Sequence, residues 1–254
     1  MFDRFDHLGV CTAEDQARFV ETLGVSAPVS VTGDTRVEQV ILRYEAAHAG
    51  ETCEQLRRLG GRLFVMGSTW PPDEKLWLPV LGEILSEFPD LRIVLTPHEP
   101  TEDRLIGLES ALDRQQIRHQ RLSALMAAPP PAADYPARVI LTDSIGVLAE
   151  IYRAGHLAYV GGSFTTGVHN TMEPAVARMP VMFGPVIGNA EEAGVLVRRG
   201  AGFVVPKPEQ ALARARALLG TADTLPQLGD IARQVVLDQR GATQRSMTVL
   251  ESYL

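Results

Sequence analysis

Short runs of β-branched and other apolar residues recur along the chain, each neighboured by a longer stretch whose apolar residues return every three or four positions. Arg62 to Met66, Leu91 to Thr96, Val139 to Leu141, Leu157 to Val160, Val181 to Phe183 and Phe203 to Val205 read as strands, with Val29 to Val31 a further one near the front. Strands this uniformly apolar need cover on both faces, so their alternation with helices predicts an α/β domain with a Rossmann-like, doubly wound parallel sheet. Helix starts are marked as well. Thr12-Ala13-Glu14-Asp15 is an N-cap pattern opening a helix that stops near Gly24. Pro71-Pro72-Asp73-Glu74 opens another, because proline in a first turn gives up an N–H that has no helical partner. A third begins near Thr101. Ala127 to Pro136 is too rich in proline for a helix or a central strand and predicts a surface loop. Leu225 to Leu254 carries helical spacing without a strand, which predicts one or two terminal helices. No internal repeat is evident.

Composition narrows the class. With 254 residues, 45% hydrophobic and 22% charged, the chain can bury a full core, which excludes a disordered chain, a collagen-like fibre and a disulfide-stapled mini-protein. The 24 basic and 31 acidic residues leave a net charge of −7, so there is no general pull toward nucleic acid or anionic lipid. A phosphate ligand would need a local site. Cys11 and Cys53 share no metal-ligand spacing and read as two reduced, buried thiols in preference to a disulfide. No apolar run approaches the roughly 18 residues of a membrane span, and Met1-Phe2-Asp3-Arg4-Phe5-Asp6 is no signal peptide.

In open parallel sheets ligands bind beyond the carboxyl ends of the strands, where loops lead into helix N-termini. Gly67-Ser68-Thr69-Trp70 offers close backbone approach and hydroxyls, or merely a capped turn; Trp70 and Trp77 are expected to pack on the helix that follows. Pro97-His98-Glu99-Pro100 sets a histidine and a carboxylate on a rigid turn. Asp143-Ser144-Ile145-Gly146 opens the helix through Leu148 and Tyr152, with Asp143 or Ser144 as a plain cap. The fullest signal runs from Gly161 to Pro174. Glycines follow a buried strand, Asn170 can cap a helix, and Glu173, expected in its second turn, can accept two hydrogen bonds from vicinal ribose hydroxyls. A glycine-rich turn with a capping Asn is also a common structural device. Gly184-Pro185, with Asn189 and then Glu191-Glu192, follows the next strand, and the two acids read as a solvated helix start. There is no G-x-G-x-x-G, no P-loop, no H-E-x-x-H and no Ser-His-Asp order.

Together these loops resemble the carboxyl-terminal half of the 3-deoxy-D-manno-octulosonic acid (Kdo) transferases, from about Phe5 to Leu254. The resemblance rests on Gly33-Asp34-Thr35-Arg36, Gly67-Ser68-Thr69, Asp143 with Gly146, Gly161-Gly162-Ser163, His169-Asn170 with Glu173, Phe183-Gly184-Pro185, and the ending from Gln239 to Leu254. The spellings Gly67 to Pro71, Pro97 to Glu99 and Ile145-Gly146 look most like the branch of Bacteroidetes-like bacteria. The resemblance implies a two-domain GT-B glycosyltransferase, inverting and metal-independent, of which residues 37–254 are the Rossmann-like domain for the donor CMP-Kdo. Residues 1–36 would be a remnant of the amino-terminal half or a linker. The implied donor contacts are Gly67, Ser68 and Thr69; Pro97 and His98; Ile145, Gly146 and Val147; Gly162 and Ser163; and His169, Asn170, Thr171, Met172 and Glu173. Three positions depart from the family: His98 stands for an arginine, Val147 for a glutamate, and Val168 for a second glycine.

The resemblance further implies a preceding domain that binds a lipid A precursor, carries the glutamate general base and associates with the cytoplasmic side of the bacterial inner membrane. The present chain would then be soluble, lack a catalytic residue and transfer no Kdo alone. It would need no cofactor and no nucleic acid. A sugar-nucleotide epimerase, a UDP-sugar transferase half and a non-catalytic nucleotide-binding domain remain alternatives.

Overall fold

A computed structural model describes residues 2–46, 50–129 and 135–254. In chain order the elements are β1 (Leu8–Val10), α1 (Ala13–Ala17), β2 (Val29–Val31), α2 (Arg36–Ala46), α3 (Glu51–Arg58), β3 (Arg62–Thr69), α4 (Pro71–Glu87), β4 (Leu91–Pro97), α5 (Glu102–Arg114), β5 (His119–Arg121) and α6 (Leu122–Ala127). They continue with β6 (Val139–Leu141), α7 (Leu148–Ala154), β7 (Leu157–Val160), α8 (Met172–Val176), β8 (Val181–Phe183), α9 (Glu191–Arg198), β9 (Gly202–Val204), α10 (Pro208–Leu219), α11 (Thr224–Leu237) and α12 (Ala242–Glu251). Two compact units result, one of residues 1–46 with 236–254, the other of residues 47–235.

The larger unit holds a seven-stranded, all-parallel sheet in the order β5-β6-β4-β3-β7-β8-β9. Alternate strand residues point to one face. Phe64, Met66, Ile93, Leu95, Val139, Leu141, Leu157, Tyr159 and Met182 share a cluster with Trp77, Leu81 and Ile84 of α4, Leu108 and Leu112 of α5, and Leu212 and Leu218 of α10. The opposite face is covered by α3 and α7, which pack on each other and place Cys53, Leu56, Ile151 and Tyr152 in the interior; Cys11, expected to be buried as well, is exposed. Helices on both faces are what continuously apolar strands require. The chain enters at β3, winds outward through β4 to β6, then returns to add β7 on the other side of β3. The winding direction therefore reverses between β3 and β7.

In the smaller unit β1 and β2 pair in parallel. Thr12 caps α1 reciprocally with Asp15: its hydroxyl accepts the Asp15 amide at 3.0 Å, and the Asp15 carboxylate accepts the Thr12 amide at 3.1 Å. From the terminal helix region, the Gly241 amide donates to Glu38 at 2.5 Å, Arg240 pairs with Glu45 at 2.9 Å, and Arg245 Nε donates to the Thr32 carbonyl at 2.8 Å.

Several expectations shift. The compact unit at the front extends to residue 46 and takes in α12. The strand at Arg62 runs on through Thr69 past an irregular register, so Gly67, Ser68 and Thr69 are strand residues and not a free loop. Two strands escaped the apolar pattern: Leu8–Val10 is short, and His119–Arg121 is a polar edge strand. The expected loop Ala127 to Pro136 begins where α6 ends, and its residues 130–134 lie outside the described residues.

Candidate functional site

The carboxyl ends of β3, β4 and β7 are joined by backbone hydrogen bonds. The Gly161 amide, just past β7, donates to the Gly67 carbonyl at 2.9 Å, and the His98 amide, just past β4, donates to the Thr69 carbonyl at 2.9 Å. Three loops thus open at the point where the sheet reverses, which is where open α/β sheets bind ligands. Gly67 serves close approach: a Cβ there would run into the Tyr152 hydroxyl and lie 3.2 Å from Leu148 Cδ1. The first turns of α7 therefore press on β3, and Ile145-Gly146-Val147 lead directly into that helix.

Asp73 ties the mouth together. Fully buried in the first turn of α4, it accepts the Trp70 amide at 2.8 Å and the Gly162 amide at 3.0 Å on Oδ2, and the Tyr159 hydroxyl at 2.5 Å on Oδ1. A carboxylate at a helix N-terminus also meets the unpaired N–H groups of that end. Burial, and then the adjacent Asp73 charge, hold the Tyr159 hydroxyl far above its ordinary pKa. Beside it the Glu74 carboxylate accepts from Arg104 at 2.7 Å and from the Thr69 hydroxyl at 3.1 Å. Burial raises the Glu74 pKa, against the pull of Arg104. The Arg104 charge is thus matched inside the protein.

Above this layer lie three rings. Trp70 stacks on His98 with centroids 4.7 Å apart, and His98 stacks on His169 at 4.4 Å. The Trp70 indole N–H donates to His169 Nε2 at 2.8 Å. Burial, then His98, push the His169 pKa below its ordinary value, with Asp73 pulling the other way.

The segment after β7 is shaped by its own contacts. Gly162 takes φ +94°, and a Cβ there would lie 2.6 Å from the Gly167 carbonyl and 2.7 Å from His169 Cδ2. Asn189 clamps Val168 at both backbone groups, accepting its amide at 3.1 Å and donating to its carbonyl at 2.9 Å. The buried Ser163 hydroxyl accepts the Gly184 amide at 2.6 Å, and buried Thr171 donates to Glu192 at 3.3 Å. Asn170 Oδ1 accepts the Met172 amide at 3.0 Å, an Asx turn into α8. The amides of Asn170 and Thr171 meet no acceptor among the described residues. Glu173 lies close enough to Tyr152 that, after burial, its charge helps raise that hydroxyl's pKa.

The structure therefore brings Gly67, Ser68, Thr69, Pro97, His98, Gly162, His169, Asn170 and Glu173 to one mouth, with Ile145 to Val147 at the start of α7. It also corrects several roles. The side chains of Ser163, Thr171 and Met172 are buried in packing and hydrogen bonds, leaving backbone groups as their means of touching a ligand. Glu173 sits in the first turn of α8, which has five residues and so a small macrodipole. Asp143 does not cap α7 but accepts from the Ser123 amide, at 3.0 Å, and from the Ser123 hydroxyl. Ile145 is 87% exposed. Glu192 is buried, although Glu191 is solvated as expected. Trp70 faces the two histidines and not its own helix, whereas Trp77 is in the core. Asp73 and Tyr159 were not foreseen; the Asp at the third position of a Pro-Pro helix start was the available signal for the former. Among the described residues no group of three or more His, Cys, Asp or Glu side chains could hold a metal ion, and no helix is long and apolar enough to cross a membrane.

No family model matches the chain. The 3-deoxy-D-manno-octulosonic acid transferase of Haemophilus influenzae is 28% identical over 195 residues, covering 76% of this chain and 44% of that protein. The enzyme of the same name from Chlamydia pneumoniae is 27% identical over 251 residues, 95% of this chain and 54% of the relative. The chain spans about half the length of the curated relatives it matches. Among solved structures, the C-terminal CMP-Kdo binding domain of WaaA from Acinetobacter baumannii aligns with a TM-score of 0.61 at 23% identity, over 78% of this chain and 98% of that one. S. aureus MnaA, solved with UDP, aligns with a TM-score of 0.63 at 14% identity, over 94% of this chain and 59% of that one. The likeness to these solved structures shows the fold, a Rossmann-like domain of the GT-B type.

Proposed function

We propose that this chain, a homologue of the Kdo transferases, is the donor-nucleotide domain of such an enzyme and binds CMP-Kdo at the carboxyl ends of β3, β4 and β7. The observation that carries the reading is the convergence, at the reversal point of the sheet, of the ends of β3, β4 and β7, which hold the Gly67–Thr69, Gly161–Ser163 and His169–Glu173 parts of the resemblance. In this reading the amides of Asn170 and Thr171 receive the phosphate, Glu173 holds the ribose hydroxyls, and Ile145-Gly146 walls the cytosine. Preorganised N–H donors stabilise negative charge as it develops on the leaving CMP. His98, where the family has an arginine, gives a compact imidazole contact in place of a fork of donors.

The whole enzyme, in this proposal, is an inverting, metal-independent transferase acting on a lipid A precursor at the cytoplasmic face of the inner membrane. Its general base and membrane contacts would belong to an amino-terminal half, and the chain alone would transfer no Kdo. In support, β1 and β2 form a two-stranded parallel sheet among the described residues, whereas parallel sheets occur almost only with both faces covered. The same unit exposes Phe5, Leu42 and Leu250 at 55%, 63% and 57%. No specific observation favours a UDP-sugar reading, since the likeness to MnaA is one of fold. Calorimetric titration with CMP tests the site: Asn170→Ala and Glu173→Ala should each weaken binding, Glu173→Ala by roughly tenfold or more for lost charge-assisted hydrogen bonds. Unchanged affinity in both would overturn the assignment.

A further inference from the structure

We propose that Trp70 is a positioning residue that locks His169 in its neutral, Nδ1-protonated tautomer, so that the imidazole presents a fixed hydrogen-bond donor to an acceptor oxygen of the bound nucleotide. The ligand named here rests on the reading of the mouth as a nucleotide site; the lock itself does not. The indole nitrogen is a donor only, so at 2.8 Å from His169 Nε2 it requires a lone pair there. The planes of the two rings are parallel to within 10°, with centroids 6.4 Å apart, and the indole N–H reaches Nε2 within hydrogen-bond distance. A neutral imidazole carries one proton, so it resides on Nδ1. That nitrogen meets no acceptor among the described residues, and the ring is half-buried at the mouth.

The surroundings reinforce the neutral form. An imidazolium would set two N–H groups against each other at the Trp70 contact. Facing His169 are His98, stacked at 4.4 Å from the end of β4, and Asp73 from α4, which is already engaged by Trp70, Tyr159 and Gly162. The Glu74–Arg104 pair next to it on α4 and α5 is internally matched. Gly162 leaves the ring no room to retreat, since the imidazole edge occupies the space of its missing Cβ. The backbone of His169 is held as well, its amide donating to the Gly161 carbonyl at 3.0 Å. Both the orientation and the protonation state of this donor are therefore set before a ligand arrives, which lowers the ordering cost of binding.

Long-range nitrogen–proton correlation spectra of the nitrogen-15-labelled chain test the lock without any ligand. His169 should show a protonated Nδ1 and a pyridine-type Nε2 from pH 6 to pH 8. Trp70→Phe keeps the ring and removes the donor; in it the Nε2–H form should appear and His169 should titrate at a higher pH. A wild-type His169 protonated on Nε2, or a Trp70→Phe spectrum identical to wild type, overturns the proposal, and the wild-type measurement suffices should the variant fold poorly. In a second arm, CMP affinity should fall about three- to tenfold in Trp70→Phe and by the same factor in His169→Ala, with no further loss in the double variant. Additive losses would overturn the statement that Trp70 acts through His169. If wild type shows the tautomer but takes no CMP, the lock stands and the nucleotide reading falls.

Discussion

Replacing Asp73 with alanine removes one fully buried carboxylate and strands three donors: the Trp70 amide, the Gly162 amide and the Tyr159 hydroxyl. Hydrogen bonds to a charged acceptor contribute roughly 1.5–3 kcal/mol each, and the Trp70 end, half-buried, can regain water. The cost of Asp73→Ala is then about 3–5 kcal/mol, a large share of the roughly 5–15 kcal/mol that holds a domain together. Asp73→Asn should cost less, about 1–3 kcal/mol, because Oδ1 can still serve both amides while the Tyr159 hydroxyl turns to accept from the new NH2 group. Tyr159→Phe removes a single bond and should cost about 1–2 kcal/mol. Urea denaturation followed by far-ultraviolet circular dichroism reads the order. With a slope of about 3 kcal/mol per molar, Asp73→Ala lowers the midpoint by roughly 1–1.7 M. An Asp73→Ala cost below about 1 kcal/mol, or a Tyr159→Phe cost equal to it, would refute the view that one carboxylate joins α4, β7 and the following loop.

Gly162→Ala, forced to φ +94° with its Cβ against the Gly167 carbonyl and His169, should lose about 1–3 kcal/mol and weaken CMP binding; wild-type stability by thermal melting would contradict this. The depressed pKa of His169 has a defined sign. The unfolded histidine takes up a proton near its ordinary value of 6.5 while the folded one still resists it, so stability is full above that pH and falls as the pH drops below it. His169→Gln, which keeps an acceptor for Trp70 but cannot titrate, should flatten the stability profile between pH 7.5 and pH 5.5; an equal slope in both proteins would count against it.

The larger sheet was legible because each of its central strands is a continuous apolar run, a demand that burial on both faces imposes on sequence. β5 was not, since an edge strand of His119-Gln120-Arg121 needs no apolar pattern, and β1, with glycine at its middle, is too short to show one. The mouth of the site could be located from the loops that follow the strands. Its internal wiring could not: Trp70 meets His169 across 99 residues of sequence, and Asp73 meets Gly162 across 89. Asn170 was recognised as a capping residue, but its Asx turn places the helix start at Met172, which moved Glu173 from an expected second turn into the first. Burial of Ser163, Thr171 and Glu192 follows from the packing of β7 beside β8, a neighbour relation that local pattern does not contain.

The central claim is most directly tested by a crystal structure of the chain with CMP bound. The phosphate is predicted against the amides of Asn170 and Thr171 within reach of His169, with the ribose at Glu173 and the base beside Ile145 and Gly146. A nucleotide found elsewhere on the chain, or none at millimolar CMP with this mouth open to solvent in the crystal, would contradict the account.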